Sequence, residues 1–325
     1  MDYPSLDEFF KSGKHHLKKG PIALIFAEDD VELVSTISHH INLGFTKTIL
    51  LAKSKRALPI NAKDKLVFIC HDLFNSPEVD IIINKINTLA VNQWIYYCYN
   101  AEYLFFPFCE TRSVAELLNF HSEERRDSML TFVVDIYTKN LGTLKNASVR
   151  EKSYLDKTGY FAEERIDSHT FHPIERQLDF FGGLRWRFEQ YVPLDQRKID
   201  HIAIFKASKG LTISKNRTFN HQEYNTYACL WHNSLTAAII SFREAKALMS
   251  NPGSRLEIKD LSWEHSTPFK WTSDQLLELG LIEPGQWFLR CLAYSTLKIV
   301  CLWHPQNMNP AVDPDNFTGR ASTCV

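Results

Sequence analysis

The chain has 325 residues, 44% of them hydrophobic, enough to fill the core of one large α/β domain with an appendage, or of two modest domains. That composition excludes wholesale disorder, and a formal net charge of −1 excludes a global field drawing the chain to nucleic acid or an anionic membrane. Seven cysteines (Cys70, Cys98, Cys109, Cys229, Cys291, Cys301, Cys324) stand singly with no CxxC, as reduced thiols do, rather than as a disulfide framework or structural zinc site.

Residues 1–20 are charged and lack an apolar run of the signal-peptide kind, so the expected location is cytoplasmic. Within them, Lys14-His15-His16-Leu17-Lys18-Lys19 reads as a solvated basic turn, or as a peripheral contact to headgroups at the inner face of a membrane. Residues 22–26 form a short continuous apolar run, the pattern of a strand buried on both faces. Glu28-Asp29-Asp30 follow, and then Val31, Val34, Ile37 and Ile41 recur at helical spacing up to a capping position at Gly44. Residues 48–52 and 66–70 read as the next strands, Pro77 opens a helix, and residues 94–99 give a fourth strand. Ser113 and Glu116 fit a capping box, and residues 129–136 return to strand. Strands alternating with helices imply a mostly parallel sheet flanked by helices.

Beyond residue 151 the pattern loosens around Phe180-Phe181-Gly182-Gly183, with a strand expected over 202–206 and a helix over about 235–249. Asn251-Pro252-Gly253 breaks that helix and gives the best domain boundary, separating 20–250 from a C-terminal extension over 251–325. In the extension, residues 288–303 read as a packed or an interfacial helix, and the proline-bearing tail beyond as weakly ordered. No apolar run reaches the roughly 18 residues of a transmembrane helix.

Ligands of open parallel sheets bind beyond the carboxyl ends of the strands. Three acidic turns lie at such ends: Glu28-Asp29, His71-Asp72 and Asn100-Ala101-Glu102. Asp29 and Asp72 serve equally as helix caps, since an acid near a helix start complements its dipole. The aromatic run over 103–108 fills a core or stacks on sugar rings. No P-loop, G-x-G-x-x-G turn or G-x-S-x-G elbow is present.

The segment Trp94-Ile95-Tyr96-Tyr97-Cys98-Tyr99-Asn100-Ala101-Glu102-Tyr103-Leu104 resembles the strand and acidic turn of family 2-type glycosyltransferases with the GT-A fold. Glu28-Asp29 with His39-His40 and Gly44-Phe45, Val133-Val134-Asp135-Ile136-Tyr137, Gly182-Gly183-Leu184-Arg185-Trp186-Arg187, and Trp231-His232-Asn233 running into Phe242-Arg243-Glu244-Ala245-Lys246 resemble further landmarks of that group in the same order.

The resemblance implies an α/β, GT-A-like (Rossmann-like) domain that binds a UDP- or GDP-linked sugar at Glu28, Asp29, Asn100 and Glu102, with Asp72 a further binding candidate by its place at a strand's carboxyl end. It also implies transfer of that sugar to a glycan, cell-envelope or lipid-linked acceptor. In the family the turn reads Asp-x-Asp-Glu-Phe and holds a divalent cation; here Asn100 stands for the first Asp. The implied metal set is therefore Asn100, Glu102 and His232 around Mn²⁺ or Mg²⁺, with metal-free nucleotide binding as the alternative. Arg185 and Arg187, read as alternating along a strand, clamp a diphosphate or form ordinary ion pairs. Asp135 and Asp179 are the candidates for the base that deprotonates the acceptor hydroxyl. The rival reading is a catalytically impaired GT-A-fold module that binds a glycan or a partner.

Overall fold

The computed structural model describes residues 1–54, 62, 64–139, 148, 150–227 and 234–285. Its strands are β1 (Asp2–Tyr3), β2 (Ile22–Phe26), β3 (Lys47–Ala52), β4 (Leu66–Cys70), β5 (Trp94–Tyr99), β6 (Glu102–Phe105), β7 (Ser128–Thr138), β8 (Ser153–Asp156), β9 (Phe161–Ile166), β10 (Pro173–Phe181), β11 (Asp200–Lys206), β12 (Ala237–Ser241) and β13 (Ser266–Pro268). Its helices are α1 (Leu6–Ser12), α2 (Leu33–Asn42), α3 (Val79–Leu89), α4 (Val114–Glu123), α5 (Gly183–Arg187), α6 (Arg243–Ser250), α7 (Pro252–Glu257) and α8 (Ser273–Glu278).

All five residues of β2 are buried, as an unbroken apolar run requires when helices cover both faces of a sheet. The central sheet runs β1-β4-β3-β2-β5-β11-β7-β12-β6, with β8 and β13 added beside β7. The pairs from β1 through β5 are parallel, as is β7 with β12, whereas β11 is antiparallel to both its neighbours and β6 is antiparallel to β12. This is the expected α/β class with a mostly parallel, Rossmann-like sheet.

The chain steps outward from β2 to β3 to β4, then returns to lay β5 on the other side of β2. The order therefore reverses between β2 and β5, and the carboxyl ends of these strands open the crevice where such sheets take ligands. In register, Phe26 lies opposite Tyr99. Farther along, Asp135 on β7 lies opposite Ser241 on β12, which lies opposite Glu102 on β6. The sheet thus sets Glu102, Ser241 and Asp135 in one transverse row.

Two local expectations are corrected. The segment expected as one helix over about 235–249 is a buried strand, β12, followed by α6 from Arg243. Its alanines suit a helix, but an all-buried place between two strands overrides that propensity. Arg185 and Arg187 lie on the short helix α5 rather than on a strand. Gly182 and Gly183 start it with φ of 152° and 63°, values that L side chains rarely adopt.

Residues 252–285 add α7, β13 and α8, and Phe269, Leu276 and Ile282 share a core cluster with Tyr103, Phe105 and Ile240. The aromatic run over 103–106 is buried, with Tyr103 and Phe105 in that cluster and Leu104 and Phe106 in the larger core, on the other side of the run. Cys70, Cys98 and Cys109 are free thiols. Among the described residues no helix is long and apolar enough to cross a membrane. The segment 288–303, the tail and His232 lie outside the described residues.

Candidate functional site

Asn100 ties the crevice together. It is fully buried; its Oδ1 accepts the Glu28 backbone N–H at 2.9 Å, and its Nδ2 donates to Asp29 at 2.5 Å and to the Val31 carbonyl at 3.0 Å. Its own N–H donates to the Phe26 carbonyl at 3.2 Å. One amide side chain thus fixes the turn after β2 to the turn after β5. An amide does this because it offers both acceptor and donors, which a carboxylate does not.

Glu102 is buried as well. One carboxylate oxygen accepts the Tyr99 N–H at 2.7 Å and the other the Ser241 hydroxyl at 3.1 Å. Ala101 between them takes a left-handed φ of 60°, which swings the chain from β5 directly into β6.

From the first turn of α6, Arg243 reaches across the crevice. Its Nε and Nη2 donate to the two oxygens of Glu28 at 2.9 and 2.6 Å, and its guanidinium lies 3.8 Å from the centroid of the Tyr99 ring. Lys246, one turn along, pairs with Asp29 at 2.8 Å. The acids at the end of β2 are therefore neutralised by two cations that begin immediately after β12.

At the other end of the row, Asp135 is 1% exposed and its Oδ2 has no hydrogen-bond partner among the described residues. Arg185 approaches its Oδ1 at 3.5 Å and stands 4.0 Å from Glu244. Burial, opposed by Arg185 and reinforced by Glu244, raises the Asp135 pKa to about 7. A Cβ on Gly183 would lie 3.1 Å from Oδ2, so the glycine lets α5 begin directly against this carboxyl.

The structure thus brings Glu28, Asp29, Asn100, Glu102, Asp135 and Arg185 to one edge of the sheet. It does not bring the others there. Asp72 follows β4, two strands away from β2, where it binds Lys53 at 3.0 Å and caps its own turn through the Phe74 N–H. Asp179 lies on the β9–β10 hairpin, held by Arg165 and Lys198, each at 2.6 Å. Arg187 pairs with the buried Asp156 at 2.8 Å and donates to the Leu261 carbonyl.

The donors of Asn100 and Glu102 do not fit a divalent cation as they stand, because their strong acceptors already serve the protein's own N–H and O–H groups. Among the described residues no group of three or more His, Cys, Asp or Glu side chains could hold a metal ion.

Sequence reasoning missed Arg243, Lys246, Tyr99 and Ser241 as site residues. A signal existed for the first two: basic residues stand at the start of a helix, where the dipole disfavours them, which asks for a nearby acid.

No family model matches the chain, and no curated protein matches it. Among solved structures it is similar to residues 1–349 of S. aureus TarS, at 12% identity and a TM-score of 0.28, over 84% of this chain and 72% of that one. A likeness that loose carries no argument.

Proposed function

We propose that this protein transfers a sugar from a UDP- or GDP-linked donor to a hydroxyl of a glycan or lipid-linked acceptor, in the crevice between β2, β5 and β7. The donor's nucleotide end belongs at the order reversal, beside Glu28, Tyr99 and Arg243. The observation that carries the reading is Asp135. A carboxyl at the sheet's carboxyl edge, with one oxygen unbonded among the described residues and a pKa near 7, is poised to take a proton at neutral pH.

In a direct displacement, Asp135 accepts the acceptor's hydroxyl proton as that oxygen bonds the sugar's anomeric carbon. The bond from that carbon to the diphosphate breaks, and the diphosphate leaves with the electron pair. Arg185 holds the base in place from its buried position. Arg243 supplies positive charge toward the leaving group once Glu28 turns to the donor.

One observation favours a second reading, a GT-A-like module that binds without turnover. Glu28 and Asp29 are already matched by Arg243 and Lys246, so the crevice is self-neutralised. Release of UDP or GDP from a panel of donor sugars, compared between wild type and Asp135→Asn, separates the two. Transfer chemistry requires release by the wild type that falls at least about 100-fold in the variant. Saturable donor binding with no release in either protein supports the module.

A further inference from the structure

Beyond Asp135 the surface carries a row of aromatic rings that the crevice chemistry leaves unused. On the hairpin of β9 and β10, Phe161 lies opposite Phe181, and their rings stack with centroids 5.2 Å apart and planes 21° from parallel. The Trp186 ring, on α5, stands edge-on to Phe161 with centroids 6.2 Å apart. Trp263 completes the row. A Cβ on Gly159 would lie 3.5 Å from a carbon of each indole, so the two tryptophans converge on a residue with no side chain to part them. Gly159 takes a φ of 88°, which also favours glycine there.

These rings stay partly open to solvent. Trp186 is 38% exposed, and Phe161, Phe181 and Trp263 are half-buried. They are nevertheless held in place. The Trp263 Nε1–H donates to the buried Asp156 at 2.8 Å, and the Arg187 guanidinium lies 5.2 Å from the centroid of the same indole. Rings fixed before a ligand arrives lose little freedom when one binds.

Polar groups border the row. Alternate residues of a strand share a side, so Glu163 and Asp179, themselves opposite each other, stand on the same face of the hairpin as Phe161 and Phe181. Asp179 is tied to Lys198 at 2.6 Å, whereas the exposed Glu163 carboxylate has no partner among the described residues. A lipid chain or an apolar peptide laid here would have to desolvate these charges. A pyranose ring would not, because it offers C–H groups to an aromatic face and hydroxyls to the carboxylates at its rim. The row also continues the crevice: α5 begins at Gly183 against Asp135, and Trp186 lies one turn along on the same side of the helix.

We propose that Phe161, Phe181, Trp186 and Trp263 form a platform on which pyranose rings of a glycan acceptor stack, leading toward Asp135. The inference rests on the acceptor being a glycan, as read above, and adds where that glycan lies.

The test titrates maltohexaose, chitohexaose and mannohexaose calorimetrically into the full chain with no donor present. The wild type should bind at least one of them saturably. Trp186→Ala and Trp186→Leu should each weaken that binding at least about 10-fold, whereas Trp186→Phe, which keeps a ring, should retain most of it. Phe161→Leu should weaken it as well, so the outcome does not hang on the folding of one variant. Thermal midpoints of the Trp186 variants should stay near that of the wild type, since the side chain is exposed. Failure of all three hexasaccharides to bind, or affinity unchanged in Trp186→Ala and Phe161→Leu, overturns the proposal. A Trp186→Leu protein that binds as tightly as the wild type also overturns it, by marking an apolar contact rather than a stacked ring. Hexasaccharide binding without release of UDP or GDP from any donor keeps the platform and removes only the transfer reading. Donor release that depends on Asp135 while no hexasaccharide binds does the reverse.

Discussion

Glu28 and Arg243, 215 residues apart in sequence, meet in a two-point ion pair at 2.9 and 2.6 Å. The pair joins the turn after β2 to the start of α6, so it closes the crevice as well as neutralising it. Both groups are about one-third exposed, which limits the strength of the attraction. A double-mutant cycle with Glu28→Gln and Arg243→Gln should give a coupling of about 1 kcal/mol in urea unfolding, falling as salt is added. A coupling of zero at low salt means that the pair closes nothing.

Asn100→Asp should be destabilising, by about 3 kcal/mol. The substitution removes the donors to Asp29 and Val31 and sets a second carboxylate against Asp29 in a fully buried place. Like charges in burial favour protonation, so the introduced carboxyl titrates above its ordinary value and the penalty shrinks as pH falls. Urea midpoints at pH 5 and pH 8 check both the size and the direction. A neutral effect at pH 8 contradicts the bridging role.

Arg185→Ala should unfold the protein more readily rather than simply weaken a ligand. Its guanidinium serves Asp135 and the carbonyls of Gln196 and Lys198, the last two at 3.2 Å each. Removing one partner of a buried ion pair costs about 3–5 kcal/mol because the other charge is left alone. A thermal midpoint within a degree of the wild type would place Arg185 outside the framework.

Asp135 gives stability a pH dependence with a definite sign. Its folded pKa of about 7 exceeds the ordinary carboxyl value of 3.8, so the native state holds the proton more tightly than the unfolded chain does. Its contribution is complete below pH 4 and is lost as pH rises toward and through 7. Asp200, raised by burial to about 6, adds in the same direction, so the measurement is the difference between wild type and Asp135→Asn. The variant should lose less stability between pH 4 and pH 8. Donor turnover should rise through about pH 7 as the base loses its proton.

Much of this edge is legible in the sequence because parallel strands announce themselves. Ile22 to Phe26 and Trp94 to Tyr99 are unbroken apolar runs, and whatever follows them must sit at the carboxyl end of the sheet. Glu28, Asn100 and Glu102 are found that way.

What escapes is whatever depends on a partner distant in the chain. Asn100 looks like a degraded metal ligand until Glu28, Asp29 and Val31 are seen bonding to it. Asp179 looks like a base beside two glycines until Arg165 and Lys198 are placed on it.

The central claim is that the crevice between β2 and β5 takes a nucleotide sugar. Calorimetric titration of UDP- and GDP-linked sugars into the wild type and into Arg243→Ala tests it most directly. The account predicts saturable binding of at least one donor, weakened roughly 10- to 100-fold in the variant by loss of a charge-assisted contact of about 1.5–3 kcal/mol. Failure of every donor to bind, or equal affinity in the two proteins, would contradict it.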